Sequence, residues 1–556
     1  MRNKEKIVDT LKKEREAKSK IRLSIDINEV ITYQELTEAS FGQINPQLDI
    51  DLIKKAYKYI EHLTHNNGAV YGITTSFGGN VKNVIPGSQA HLLQYNLITS
   101  HAANVGTILP YEICKTAALL RLMTVSKGYS GVSPATIGLL SKMLRAGIAP
   151  ALPAHGSMGA SGDLNPLSAL AYSLMGEGRV YLPDGETIVS TRVAFDKYNL
   201  KPTEMVYRDG LALINGTSVM TAVASFYLRY IERLIENSLV IGAMTIEAMQ
   251  SSKKPFDKRL HELKPHRKQI AVAKVMHALL QNSKLALSHK ELKEKIKEFL
   301  NKDSDSTKVV ETPIDLQGGS YSMRAIPQIY QPIVKMFEVF AETINTEINA
   351  IDDNPIVLVD SKDELHGANF HGHPVAVTSD ALTTAILSMA NISNSRVDRM
   401  LKSHHSGLPA FLASGQPGLY LGMQGLQYTA AGITAELRGL GYPLSVNQIT
   451  TNNDNQDLVS FGLQSTLKGL EVTFLLAYVL AVEYMSAGQA LWLRHQSGVP
   501  FTHFSTSSKA AYDKLMALYQ PKASKDQAMT ESVEKVASLL LTEHLLPEKL
   551  RKALWT

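Results

Sequence analysis

Residues 217–250 read TSVMTAVASFYLRYIERLIENSLVIGAMTIEAMQ. From Gly216 to Gln250 there is no proline, and apolar residues recur at intervals of three and four, the spacing that lines one side of an α-helix. Arg229, Glu232, Arg233 and Glu236 fall on the other side, which the pattern makes the wetter one. A helix this long can bury its apolar stripe only against other long helices, in a bundle. The pattern returns at 329–351, 375–401 and 463–494, with Pro332 in the first turn of one of them, where a missing N–H is tolerated. The expected fold class is therefore all-α for the most part, a bundle of long helices.

Strand signals are short. Val180–Leu182 and Thr187–Val189 flank the turn PDGE, and Ile356–Val359 precedes DSKDE, so both read as small hairpins at the edge of the helical body. Residues 284–312, KLALSHKELKEKIKEFLNKDSDSTKVVET, are charge-dense and end in DSDST, which marks a mobile excursion or insertion between helical blocks. No internal repeat is found.

The chain has 556 residues, enough for one large core or a few compact units. With 44% hydrophobic and 20% charged residues it has ordinary globular composition, which excludes disorder throughout. A formal charge of +5 over 57 basic and 52 acidic side chains is too dilute for a polyanion partner, so no nucleic acid is expected. The single cysteine, Cys114 in YEICKTAALLRL, excludes an intramolecular disulfide and a cysteine-rich metal site, and its apolar helical setting suits a small core filler. Residues 1–22, MRNKEKIVDTLKKEREAKSKIR, mix acids and bases and lack the apolar block of a signal peptide. They read as a charged extension, a solvated helix or a frayed tail, and a cytoplasmic location is expected. No run of about 18 uninterrupted apolar residues occurs, so no membrane span is expected. Neither a GxxxxGK[ST] phosphate loop nor HExxH is present.

One loop carries chemistry of its own. Residues 155–166 read HGSMGASGDLNP. A plain surface loop accounts for this turn-forming composition. A second reading concerns Ala160-Ser161-Gly162: the serine hydroxyl can leave as water, and the glycine nitrogen is unhindered. If a tight bend presses that nitrogen against the Ala160 carbonyl, the backbone can close into a five-membered ring with loss of two waters, giving a methylideneimidazolone (MIO). Glycine is needed because a Cβ would crowd the attacking nitrogen. The product is an electrophile that no side chain supplies.

GSMGASGDLNPLSALA at 156–171 resembles the signature GS-x-GASGDL-x-PL of the histidine, phenylalanine and tyrosine ammonia-lyases and the related aromatic aminomutases. The likeness runs from about residue 23 to the C-terminus and includes YGITTSFGG (71–79), LINGTSVM (213–220), SYSMRAIPQ (320–328), DDNPIV (352–357), GANFHGHPVA (367–376) and NDNQDLVSFGL (453–463). The resemblance implies a fumarase/aspartase-like bundle of long parallel and antiparallel helices, and a homotetramer whose active sites are each assembled from three chains. It also implies an MIO group built from Ala160, Ser161 and Gly162, with no metal and no diffusible cofactor. The chain then divides into the extension 1–22, an MIO-bearing domain 23–213, and a long-helix and C-terminal part 214–556.

By position, the resemblance makes Tyr71 the base and Tyr321 the tyrosine of an opposite loop. Arg324 matches the arginine that pairs with the substrate carboxylate, a task suited to the guanidinium fork. Asn215 matches the asparagine near carboxylate and ring, where it would supply a donor for charge developing on the ring oxygen. Gln317 matches a glutamine upstream of the tyrosine loop, although it stands seven residues before Arg324 where relatives have six. Ser76 stands where relatives commonly carry glycine. Phe370 matches the aromatic wall of the ring pocket.

Substrate choice falls on few positions. Ser100-His101 matches the pair that reads the far end of the substrate ring, where a histidine suits a phenol or an imidazole. Gln456 and Asn452 match the tyrosine-type pattern, since histidine lyases resemble NQED where this chain has Asn455-Gln456-Asp457. His371 and His373 in GANFHGHPVA read more like the histidine branch; two histidines without a third ligand do not make a metal site. The expected activity is elimination of ammonia from an L-aromatic amino acid, tyrosine ahead of histidine and phenylalanine. A 2,3-aminomutase uses the same residues, and a non-catalytic helical assembly protein is the reading outside enzymology.

Overall fold

A helix with no exposed residue, Tyr111–Ser126, lies at the core of the first of two compact units. It carries Glu112, Lys115 and Arg121, and burying charge is costly unless each finds a partner. Glu112 accepts from Arg15 at 2.6 Å, Lys115 donates to the Ser40 and Gly42 carbonyls, and Arg121 pairs with Asp352 at 3.1 Å. Cys114 is fully buried in the same helix, in the filler position expected of it.

The structure, a computed structural model, describes residues 4–18, 22–26, 29–65, 70–302, 319–416, 418–523 and 525–556. One unit comprises Met1–Arg229, Val339–Ala381 and Tyr442–Glu471; the other comprises Tyr230–Glu338, Leu382–Gly441 and Val472–Thr556. The sequence-based division after residue 213 therefore falls inside the first unit.

The four long helices form as the periodicity predicts, at Ser218–Ala248, Ile326–Asn349, His373–Leu401 and Gly462–Gln496. Pro332 lies one turn deeper than expected because its helix starts at Ile326. The wetter face expected of the 217–250 stretch is absent: within Ser218–Ala248 every residue but Glu232 is buried. Its charges are satisfied by neighbours instead. In the first unit Arg229 bonds Glu14 and Glu38; in the second, Glu236 accepts from the Trp555 indole at 2.8 Å and Arg233 donates to the Leu541 carbonyl at 2.8 Å.

Arg229 also explains the N-terminal segment. Lys4–Lys18 is a docked helix rather than a solvated or frayed one, with Ile7 and Leu11 buried and Glu14 facing Arg229. Both expected hairpins are present, Arg179–Tyr181 with Ile188–Ser190 and Ile356–Leu358 with Asp363–Leu365. Asp184 closes the first by accepting the Glu186 and Thr187 N–H groups. A parallel pair, Arg22–Asp26 with Gln43–Gln47, was not signalled by the sequence.

The second unit is centred on a buried ion pair. Arg396 donates to Glu483 at 2.6 and 2.8 Å, both side chains fully enclosed, and Thr245 adds a hydroxyl bond to the same carboxylate. Part of the expected 284–312 excursion is ordered: Leu285, Ala286 and Leu292 are buried and His289–Lys302 is a helix. Residues 303–312 lie outside the described residues. Two helices, His373–Leu401 and Gly462–Gln496, are long and apolar enough to cross a membrane by composition alone, but 56% and 89% of their most apolar windows are buried inside the protein.

Candidate active site

The 156–163 loop links the strand Pro153–His155 to the helix Leu164–Leu174, and its conformation is fixed from two sides within the first unit. Gln464 Nε2 donates to the Ser157 carbonyl at 2.7 Å, Phe461 N–H donates to the Met158 carbonyl at 2.9 Å, and Ser460 Oγ donates to the Gly159 carbonyl at 3.1 Å. From the opposite side the Asp163 N–H donates to the Gly216 carbonyl at 2.7 Å. Gly162 has φ +69°, and a Cβ on it would stand 2.2 Å from the Gly216 oxygen, so only glycine fits.

Asp163 received no role from the sequence, although it stands in the quoted motif. Its fully buried carboxylate accepts from Ser157 Oγ at 2.8 Å and from the N–H groups of Val219 and Met220 at 2.9 and 2.8 Å. It thus caps the Ser218–Ala248 helix, which has no acid in its own first turn. Desolvation by burial outweighs these donors and pushes its carboxyl up to about 7.

The triad opens onto a cavity of about 660 Å³. Tyr71, Ser100, His101, Ala160, Ser161, Gly162, Asn215, Phe370, Asn452 and Gln456 all line it. Asn215 Nδ2 donates to the Ser161 carbonyl at 2.9 Å, and Gln456 Nε2 donates to Ser161 Oγ at 2.9 Å while its own oxygen accepts from Thr451. Tyr71 accepts the Gly78 N–H on its phenol oxygen at 3.0 Å, and its ring stands edge-on to Phe77 and His366. Asn452 Oδ1 accepts the Gly79 N–H at 3.2 Å, tying the tyrosine loop to the far wall. Asn452, Asn453 and Asp454 all have left-handed φ, of 57°, 50° and 62°. A run of three non-glycine residues there is strained, and such strain concentrates at sites that need a fixed geometry.

At the helix Ala90–His101, Nδ1–H of His101 donates to the Leu97 carbonyl at 2.9 Å. Ser100 Oγ stands 3.1 Å from the same nitrogen, so the ring is held on its Nδ1 side by the residues of its own helix. Asn354, also unassigned from sequence, lines the cavity and accepts the Gly367 N–H at 2.8 Å, positioning the turn that leads to Phe370. His371 spends one ring nitrogen on the Leu458 carbonyl and the other on the His373 N–H, which occupies it structurally.

Tyr321 and Arg324 are not among the residues that line this cavity. Gln317 lies outside the described residues. Tyr321 and Arg324 stand on the short helix Tyr321–Arg324 in the second unit, where the guanidinium lies 4.7 Å over the tyrosine ring and Tyr321 is 73% exposed. They border a separate opening with Lys254 and His289.

The triad fits closure into an MIO ring: Gly162 nitrogen has no Cβ beside it, the Ser161 hydroxyl has a donor, and the oxygen that the ring would retain is held by Asn215. The group would supply an exocyclic electrophilic carbon for the substrate amine.

A profile of the family described as "Aromatic amino acid lyase" matches residues 32–517. The chain belongs to the aromatic amino acid lyase family. It is 35% identical to the "MIO-dependent tyrosine 2,3-aminomutase" of Streptomyces globisporus, over 94% of this chain and 95% of that one. It is 34% identical to the histidine ammonia-lyase of Gloeobacter violaceus, over 89% and 91%. Among solved structures, the phenylalanine aminomutase of Pantoea agglomerans superimposes with a TM-score of 0.86 at 30% identity, covering 94% of this chain and 99% of that one. The mostly helical fold read from the apolar periodicity and the carbon–nitrogen lyase class read from the motifs agree with this membership.

Proposed function

We propose that the protein removes the amine of L-tyrosine across Cα and Cβ, with release of ammonia and the unsaturated acid. The observation that carries the substrate is His101: its Nδ1 side is engaged by Leu97 and Ser100, and it brings a polar ring to the cavity lining that suits a phenol O–H. Gln456 supports it, because its amide is engaged by Ser161 and Thr451 and it offers no carboxylate to a protonated imidazole. The group formed from Ala160, Ser161 and Gly162 would take up the amine, and Asn215 would stabilise charge on the retained oxygen. Tyr71 would accept the β-proton, with its phenol oxygen held in place by the Gly78 N–H.

No lysine or arginine lines the cavity among the described residues. A substrate carboxylate needs a cation, and Arg324 is the residue the resemblance assigns. We infer that Arg324 and Tyr321 serve the cavity of another copy in a homotetramer, which accounts for a catalytic-type pair lying exposed in the single chain.

A second reading, tyrosine 2,3-aminomutase, is favoured by the likeness to the Streptomyces globisporus protein; it shares the first half-reaction and differs in returning the amine to Cβ. Purified protein incubated separately with tyrosine, histidine and phenylalanine distinguishes these outcomes. Coumarate absorbance with tyrosine alone supports the first reading, β-tyrosine on chromatography the second, and urocanate overturns the tyrosine assignment.

A further inference from the structure

Behind the triad lies a buried ion pair that neither the motif reading nor the proposed chemistry uses. Gly216 is wedged between them: a Cβ on it would stand 1.8 Å from Arg121 Nη1 and 2.7 Å from Asp352 Oδ2. On its other side the Gly216 carbonyl meets the Asp163 N–H at 2.7 Å and lies against Gly162 Cα. Asp352 accepts Arg121 Nη1–H on Oδ1 at 3.1 Å and the Thr217 N–H on Oδ2 at 2.6 Å. Thr217 Oγ1 lies 3.0 Å from Asp352 and 2.7 Å from Glu347 Oε2, and its one proton can serve only one of the two. Burial pushes the Glu347 carboxyl up to about 7, which leaves the Asp352 carboxylate as the more strongly charged acceptor beside the Thr217 hydroxyl. Arg121 and Asp352 are 0% and 4% exposed, which removes solvent as a competing partner.

We propose that Asp352, braced by Arg121 and Thr217, is a positioning residue for ring closure: it clamps the Asn215–Gly216–Thr217 turn so that the Gly216 carbonyl presses Gly162 towards Ala160. The proposal rests on the reading that the triad matures. Closure forms one bond, from Gly162 nitrogen to the Ala160 carbonyl carbon, and expels two waters. One carries the Ala160 oxygen with the Gly162 and Ser161 amide protons; the other carries the Ser161 hydroxyl with its Cα proton. No oxidant or added reagent is required. The backbone has to bring two atoms into contact that ordinary turns hold apart, and a misplacement of about 1 Å can slow such a step about a hundredfold. The turn carrying Asn215 and Gly216 is held from behind only if Asp352 keeps all three of its contacts, to the Arg121 guanidinium, the Thr217 N–H and the Thr217 hydroxyl.

The test is the intact mass of the full chain, followed from purification onward, for wild type, Asp352→Asn, Thr217→Val and Thr217→Ser, with circular dichroism and thermal melting on each. Wild type should be lighter than its encoded mass by two waters, and Thr217→Ser should match it. Asp352→Asn and Thr217→Val should remain folded yet lose the waters about a hundredfold more slowly. Should Asp352→Asn fail to fold, Thr217→Val, which leaves the ion pair intact, decides alone. Folded variants that reach the dehydrated mass as fast as wild type overturn the clamp and leave the enzyme reading standing. A wild-type chain at full encoded mass overturns the maturation reading and the clamp with it.

Discussion

The Asn215 side-chain amide donates to the Ser161 carbonyl oxygen at 2.9 Å, from the residue that ends the short helix Asp209–Ile214. That oxygen is the one the closed ring keeps, and a fixed donor there stabilises negative charge as it develops. In chains whose mass shows a closed ring, Asn215→Ala should lower kcat by about two to three decades with a much smaller change in KM. Steady-state kinetics alongside intact mass check this; an equal loss in both parameters would assign Asn215 to substrate binding.

Tyr71 holds its phenol oxygen against the Gly78 N–H within the cavity. Tyr71→Phe keeps the ring contacts with Phe77 and His366 and removes only the proton acceptor. Turnover should fall by about two to four decades, while a product acid still binds competitively in calorimetry. Retention of more than about a tenth of the rate would place the base elsewhere.

His101 tests the substrate. His101→Phe leaves a para-hydroxyl against an apolar wall, at about 1–3 kcal/mol, so tyrosine should lose about one to two decades in kcat/KM while phenylalanine gains. Gln456→Glu should raise histidine turnover by supplying an acid for the imidazole, and it also replaces the donor to Ser161 Oγ, so its mass must be checked. If neither change shifts the relative rates for the three amino acids, Ser100 and His101 do not set the preference.

Arg324 and Tyr71 are expected to meet only between copies. Arg324→Lys keeps the charge but loses the fork, which should cost about 2–4 kcal/mol in kcat/KM. Mixing Arg324→Ala chains with Tyr71→Phe chains under conditions that exchange subunits should restore part of the activity, because some cavities then receive both wild-type residues. No recovery from exchanged mixtures would show that each chain builds its own site.

Glu347 predicts a pH effect on stability. Burial raises its carboxyl from 4.5 to about 7, the Thr217 bond opposing the shift. Between those values the folded chain holds a proton that the unfolded chain has released, so this contribution to stability is full below pH 4.5 and is lost as pH rises through about 7. Glu347→Gln removes it. The Tm of the variant should therefore fall less than that of wild type across this interval, and parallel profiles would show that Glu347 does not titrate there.

Local physics determined much of this protein from sequence alone. The three-and-four spacing located all four long helices, because apolar periodicity is a property of the chain itself, and PDGE marked its hairpin through an Asp that closes its own turn. The motifs gave roles to many of the residues that line the cavity, though not to Asn354. What they could not reveal was which charges would be covered. Arg229, Arg233 and Glu236 look solvent-facing in any helical projection, and the Lys4–Lys18 helix looks detached; their burial depends on segments far away in the chain. Asp163, Arg121 and Asp352 escaped for the same reason, since a carboxylate and a guanidinium 231 residues apart carry no joint signal until the fold brings them to 3.1 Å. Tertiary structure likewise decided that Tyr321 and Arg324 belong to the second unit, where they border an opening of their own, because compact units are set by packing between segments distant in sequence.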